Sequence, residues 1–78
     1  MLTKYVTYDI NPDGSSMGPL LDLLRELDAK KITGSTWMIE AKVKLEELCQ
    51  KLEKATKPGD HVFVLHKGGK GVRHRAVR

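Results

Sequence analysis

A chain of 78 residues with a formal net charge of +4 has room for one domain and no second. Its single cysteine, Cys49, excludes an internal disulfide, and three scattered histidines (His61, His66, His74) leave no CxxC or HxxxH pair for zinc. A domain this small buries only roughly 60–65% of its unfolded surface, so self-association is the remaining source of added stability. The opening Met1-Leu2-Thr3-Lys4-Tyr5 leads into no signal-peptide core, and no segment approaches the ~18 apolar residues of a membrane span. A lone thiol fits a reducing interior, so a cytoplasmic location is expected.

Leu2–Ile10 alternates with a period of two and is predicted to form a strand. Leu2, Val6, Tyr8 and Ile10 share one face; Thr3, Tyr5, Thr7 and Asp9 share the other. Asn11-Pro12-Asp13-Gly14 is dense in turn formers and ends it. A helix is predicted over 16–30, with Ser15 or Ser16 as N-cap and Pro19 tolerated in the first turn. Its apolar stripe is Leu20, Leu23, Leu24 and Leu27. Residues 32–41 read as a second extended stretch, bulged or bent at Gly34 and able to split there.

A second helix is predicted from Lys42 or Lys44 to Lys57, burying Leu45, Leu48, Cys49 and Leu52, and Pro58-Gly59-Asp60 stops it. His61–His66 is a further strand. Beyond a Gly-rich loop, Val72–Arg78 is either disordered or a short edge strand. The fold class expected is α+β: a mostly antiparallel sheet with two helices on one face, needing a fourth strand to reach the ferredoxin-like βαββαβ order. Residues 1–66 are expected to form that domain and 67–78 a basic C-terminal tail or edge strand.

Charge is unevenly placed. Lys67, Lys70, Arg73, Arg75 and Arg78 stand in residues 67–78 without an acid, while residues 1–66 carry nine basic and ten acidic side chains. Such a cationic segment attracts phosphate backbones through counterion release. The competing reading is a solvated segment that only aids solubility.

Both faces of the later strands look apolar. Trp37 and Ile39 oppose Met38, and Val62 and Val64 oppose Phe63 and Leu65. Two helices cover one face of a small sheet, so a second copy is expected on the other, with Tyr5 and Trp37 among the contacts. Asp9 ends the first strand on the face away from Val6. Two copies can bring two such carboxylates together to bind a hard cation, Mg²⁺ or Mn²⁺, although an Asp in this setting is more often a turn residue.

Tyr8-Asp9-Ile10, the leucine-rich helix, Ser35-Thr36-Trp37-Met38-Ile39-Glu40, Leu45-Glu46-Glu47-Leu48 and Asp60-His61-Val62-Phe63-Val64 follow one another in an order and spacing that resembles the CRISPR-associated protein 2 family. The resemblance covers residues 4–66 and implies a ferredoxin-like homodimer formed through its sheets. Some members are metal-dependent nucleases on RNA or double-stranded DNA; others are the non-catalytic core of a spacer-integration complex. By that resemblance Asp9 matches the metal-binding and catalytic aspartate, and Ser35 and Trp37 match a Ser-x-aromatic pair. Where members place basic residues after the aspartate, this chain has Asn11-Pro12-Asp13-Gly14-Ser15-Ser16, and it lacks a clear fifth strand for exchange between subunits.

The function expected is therefore a nucleic-acid-binding homodimer with Mg²⁺-dependent endonuclease activity, its phosphate contacts made by Lys67, Lys70, Arg73, Arg75 and Arg78. The alternative is a non-catalytic module that engages a partner protein through an edge strand. Gly68-Gly69-Lys70-Gly71 lacks the spacing and following Ser or Thr of a phosphate-binding loop. An RNA-recognition motif needs stacking aromatics on its third strand. Cys49, on an apolar helix stripe, is packing, and Ser35 with any of the three histidines makes no catalytic triad.

Overall fold

The computed structural model describes residues 3–11, 15–40, 42–68 and 71–78. Along the chain run β1 (Lys4–Asp9), α1 (Met17–Glu26), β2 (Lys30–Thr33), β3 (Thr36–Ile39), α2 (Leu45–Ala55), β4 (His61–Gly68) and β5 (Gly71–Ala76). The strands form one sheet in the order β2-β3-β1-β4-β5, antiparallel at every pairing. The first four strands and two helices have the ferredoxin-like arrangement, and β5 extends it beside β4. Leu2 and residues 12–14, expected at the first strand and its turn, lie outside the described residues, as do Ala41 and Lys70.

Both helices pack on one face. Leu20, Leu23, Leu24 and Leu27 from α1 and its end, with Leu48, Cys49 and Leu52 from α2, bury against Val6, Tyr8, Ile39, Val62 and Val64. Lys4 shares that side, only 5% exposed, its Nζ donating to the Val43 carbonyl at 2.9 Å. The butylene stem is packed and the ammonium ties the start of β1 to the approach to α2.

Helix α1 stops four residues before the expected Lys30, which instead opens β2. Ala29 N–H donates to the Leu24 carbonyl and Asp28 N–H to that of Arg25, while Asp28 takes φ 55°. This is the Schellman arrangement, with an aspartate where glycine is usual. Asp28→Gly is expected to stabilise the fold by about 0.5 kcal/mol and Asp28→Ala to cost about 1 kcal/mol, since Cβ opposes a left-handed backbone. Chemical denaturation of both variants measures this.

The stretch 32–41 does split. Thr33 pairs with Thr36 across Gly34 and Ser35, making β2 and β3 a hairpin, and the register irregularity falls between Lys31 and Thr33, not at Gly34. Helix α2 begins at Leu45 with Glu46 and Glu47 in its first turn, where the dipole favours acids. At its far end Thr56 Oγ1 donates to the Leu52 carbonyl, and Arg78 donates to Thr56 Oγ1 and the Glu53 carbonyl. The 66/67 boundary expected from sequence runs through β4. The basic segment is a strand of the sheet, registered from Gly68–Gly71 to Phe63–Ala76.

Candidate functional site

The helices leave the second face of the sheet open, and strand register decides which side chains stand there. On β1 they are Tyr5, Thr7 and Asp9. Tyr5 lies between Met38 of β3 and Leu65 of β4, and Thr7 lies between Thr36 and Phe63. Phe63 is followed outward by Ala76, and Leu65 by His74. Tyr5 and Phe63 are each 37% exposed and Val72 is 77% exposed, whereas Met38 and Leu65 are half-buried. An apolar patch thus straddles β1, as the two-sided pattern of β3 and β4 led us to expect. At its end near the β4–β5 turn, Tyr5, Leu65, Lys67 and Val72 help line a hollow of about 310 Å³.

Asp9 stands at the opposite end of that face, exposed and directly across from His61. No group of three or more His, Cys, Asp or Glu side chains gathers into a cation site among the described residues. Among the described residues, Asp9 has His61 as its register partner on this face and no third such side chain gathers with them.

Trp37 does not share the open face with Tyr5. Its register partner is Val6, so it stands on the helix side, half-buried against the core, with Nε1 donating to Tyr8 Oη at 3.1 Å. Tyr8 Oη in turn donates to the Gly34 carbonyl at 3.4 Å. The open-face neighbour of Tyr5 on β3 is Met38, which replaces Trp37 as the residue to expect in a face-to-face contact. Ser35, the other member of the Ser-x-aromatic pair, is exposed in the β2–β3 turn and holds β1 through its carbonyl, 3.1 Å from Tyr8 N.

The basic residues of the C-terminal segment are not gathered on one surface. Lys67 is on the open face opposite Val72, while Arg73 and Arg75 are paired with His66 and Val64 on the helix side. Arg75 is bound to Glu46 of α2, and that guanidinium, by hydrogen bond and charge, holds the glutamate below its ordinary range. Arg78 is occupied at the end of α2. Lys67 and Arg73 remain exposed beside the β4–β5 turn, and Lys30 and Lys31 add cations on the β2 edge. Burial pushes the Cys49 thiol up, away from the thiolate, in keeping with a packing role.

A second carboxylate, Asp60, is built into the fold. It is 3% exposed, accepting from Ser16 Oγ at 2.6 Å, Asn11 N at 2.9 Å and Lys57 N at 2.9 Å. Those hydrogen bonds, Ser16 first, hold its pKa below the ordinary carboxylate range, and Arg78 adds its charge. Asp60 joins the end of β1, the start of α1 and the turn after α2. The Ser16 hydroxyl, expected as an N-cap, makes no cap hydrogen bond to its own helix because it is committed here. The sequence signal was Lys57-Pro58-Gly59-Asp60, whose Pro at the second position, Gly59 at φ 100° and Asp60 N to Lys57 O bond of 3.0 Å match a type II turn.

Among the described residues no helix is long and apolar enough to cross a membrane. No protein-family model matches this chain, and no curated protein or solved structure matches it. The class established is an α+β protein of ferredoxin-like order with one added edge strand.

Proposed function

We propose that the chain is a nucleic-acid-binding homodimer of the CRISPR-associated protein 2 type, acting in the cytoplasm as a metal-dependent phosphodiesterase centred on Asp9. The observation that carries this reading is the uncovered apolar face with β1 at its middle. A twofold axis lying between two such faces and running along β1 sets each strand against its own copy. Tyr5 then meets Tyr5, and Met38 on one flank meets Leu65 on the other, apolar against apolar. The same operation sets Asp9 against Asp9, the one unfavourable match, which a divalent cation relieves.

Sheets packed face to face stand roughly 10 Å apart, which gives two short carboxylates room for an ion between them. Asp9, with its counterpart, is the residue that would hold Mg²⁺ or Mn²⁺. When bound, such an ion polarises a phosphodiester and lowers the pKa of a bound water. The chain's own contribution is to position Asp9 at a strand end and to supply phosphate contacts from Lys67 on the open face and from Arg73, exposed on the helix side of β5 next to it in the sheet. Arg75 and Arg78 serve the fold in this reading.

Purified protein incubated with labelled RNA and duplex DNA, with and without divalent ion, tests the proposal. Asp9→Asn is expected to abolish cleavage and leave binding within about twofold of wild type, as for a group acting mainly in the chemical step. Lys67→Gln with Arg73→Gln is expected to weaken binding and lower the salt slope by about one for each cation that no longer meets a phosphate. Substitution in place is required, because deleting residues after Lys67 removes the strand that pairs with β4. Cleavage by Asp9→Asn at the wild-type rate removes Asp9 from the mechanism, and salt-insensitive binding removes the phosphate contacts.

A further inference from the structure

Asp9 does not stand alone at its end of the open face. In the β1–β4 pair it is registered directly opposite His61, and both side chains are exposed. Directly opposed residues on one face of an antiparallel pair have Cβ atoms roughly 4.5–5.5 Å apart, close enough for a carboxylate oxygen and an imidazole nitrogen to reach one ion. Neither side chain is hydrogen-bonded or ion-paired to another group among the described residues.

The other two histidines lack this setting. His66 is registered with Lys4 and Arg73 on the helix side, and His74 faces Leu65. The adjacent carboxylate, Asp60, is turned inward with both oxygens taken by Asn11, Ser16 and Lys57. It is therefore not a third ligand.

We propose that His61 is a metal ligand beside Asp9, and that the two Asp9–His61 pairs of the dimer form one site for a nitrogen-accepting first-row cation, Mn²⁺ in preference to Mg²⁺. The inference rests on the dimer proposed above. The physical ground is ligand chemistry: Mg²⁺ favours all-oxygen octahedra and keeps its water, whereas an imidazole ligand favours first-row transition ions over Mg²⁺, with Mn²⁺ the weakest of that series and the one whose bound state is read directly by paramagnetic resonance. The pairing is legible only from register, since residues 9 and 61 are 52 positions apart.

The test is a Mn²⁺ titration of the full chain, read by loss of the free-ion electron paramagnetic resonance signal, with pulsed measurement of nitrogen modulation on the bound ion. The expected result is one Mn²⁺ per dimer, nitrogen modulation, and preference over Mg²⁺ of at least about tenfold in competition. His61→Gln is expected to remove the modulation and weaken Mn²⁺ at least about tenfold while the protein still sediments as a dimer. His66→Gln, a change at a histidine on the helix side of the sheet, is expected to match wild type.

Dimeric wild type that binds Mn²⁺ without nitrogen modulation, that shows no preference over Mg²⁺, or that keeps its affinity in His61→Gln overturns the role of His61 alone. Wild type that sediments as a monomer with and without Mn²⁺ overturns the dimer, and this inference falls with it.

Discussion

Leu65→Glu is expected to convert the proposed dimer into a monomer at micromolar concentration, weakening association at least about 100-fold, or about 2.7 kcal/mol. Leu65 is half-buried in the middle of the open face, beside Tyr5 on β1 and His74 on β5. In the proposed packing it meets Met38 of the second copy. A glutamate there places a carboxylate against apolar surface, and symmetry repeats the cost in the second Met38–Leu65 contact. The folded monomer tolerates the change because position 65 faces away from the helices. Sedimentation velocity measures the outcome, with Met17→Glu as control: Met17 is 40% exposed on α1, remote from the open face. Leu65→Glu that sediments as wild type would show that this face is not the interface.

The second large effect is expected at Asp60. Asp60→Ala leaves the amide hydrogens of Asn11 and Lys57 and the Ser16 hydroxyl without their acceptor, and all three sit where elements meet. Its melting temperature is expected to fall well below that of Asp22→Ala, whose carboxylate is exposed in a surface pair with Arg25. The acid dependence follows from linkage. The folded pKa of Asp60 lies below the unfolded value, so the unfolded chain binds the extra proton and stability rises with pH. That contribution is complete above the unfolded carboxylate's pKa of about 4 and is lost as pH falls from there through the lower folded value. Asp60→Asn should therefore be less stable than wild type at neutral pH and show a flatter acid limb. Parallel acid limbs for the two proteins would remove Asp60 as a contributor.

Periodicity carries the architecture because the strong signals are local. The leucine stripes of α1 and α2, the alternation of β1 and the apolar run of β4 each express burial within one element, and each appears where expected. What escapes depends on residues brought together from afar. Lys4 reads as an interruption of the apolar face until Val43, 39 residues on, presents a carbonyl to it. Asp60 reads as a helix stop until Ser16 and Asn11 arrive.

Trp37 is not separable from the Tyr5 face by sequence, because alternation within β3 distinguishes its two sides without saying which meets Val6. The end of α1 is hidden for a local reason: the left-handed position holds aspartate, and only glycine or asparagine would have announced it. At the candidate site, Asp9 is legible as an acid at a strand end, whereas its partner His61 is not. The basic set reads as one tail, yet strand pairing places Lys67 on one face of the sheet and Arg73 and Arg75 on the other.

A sheet with free borders can polymerise laterally, strand upon strand, into filaments. Here the borders are β2, short, interrupted near Ile32 and bearing exposed Lys31, and β5, bearing exposed Arg73. Stacked copies would crowd like charges along either border, a recognised deterrent to cross-β growth. In the proposed packing, growth by the face closes after two molecules, whereas growth by the border does not close at all. If that packing holds, charged borders favour a finite assembly, and raising ionic strength, which screens those cations, is the condition under which the preference is expected to weaken.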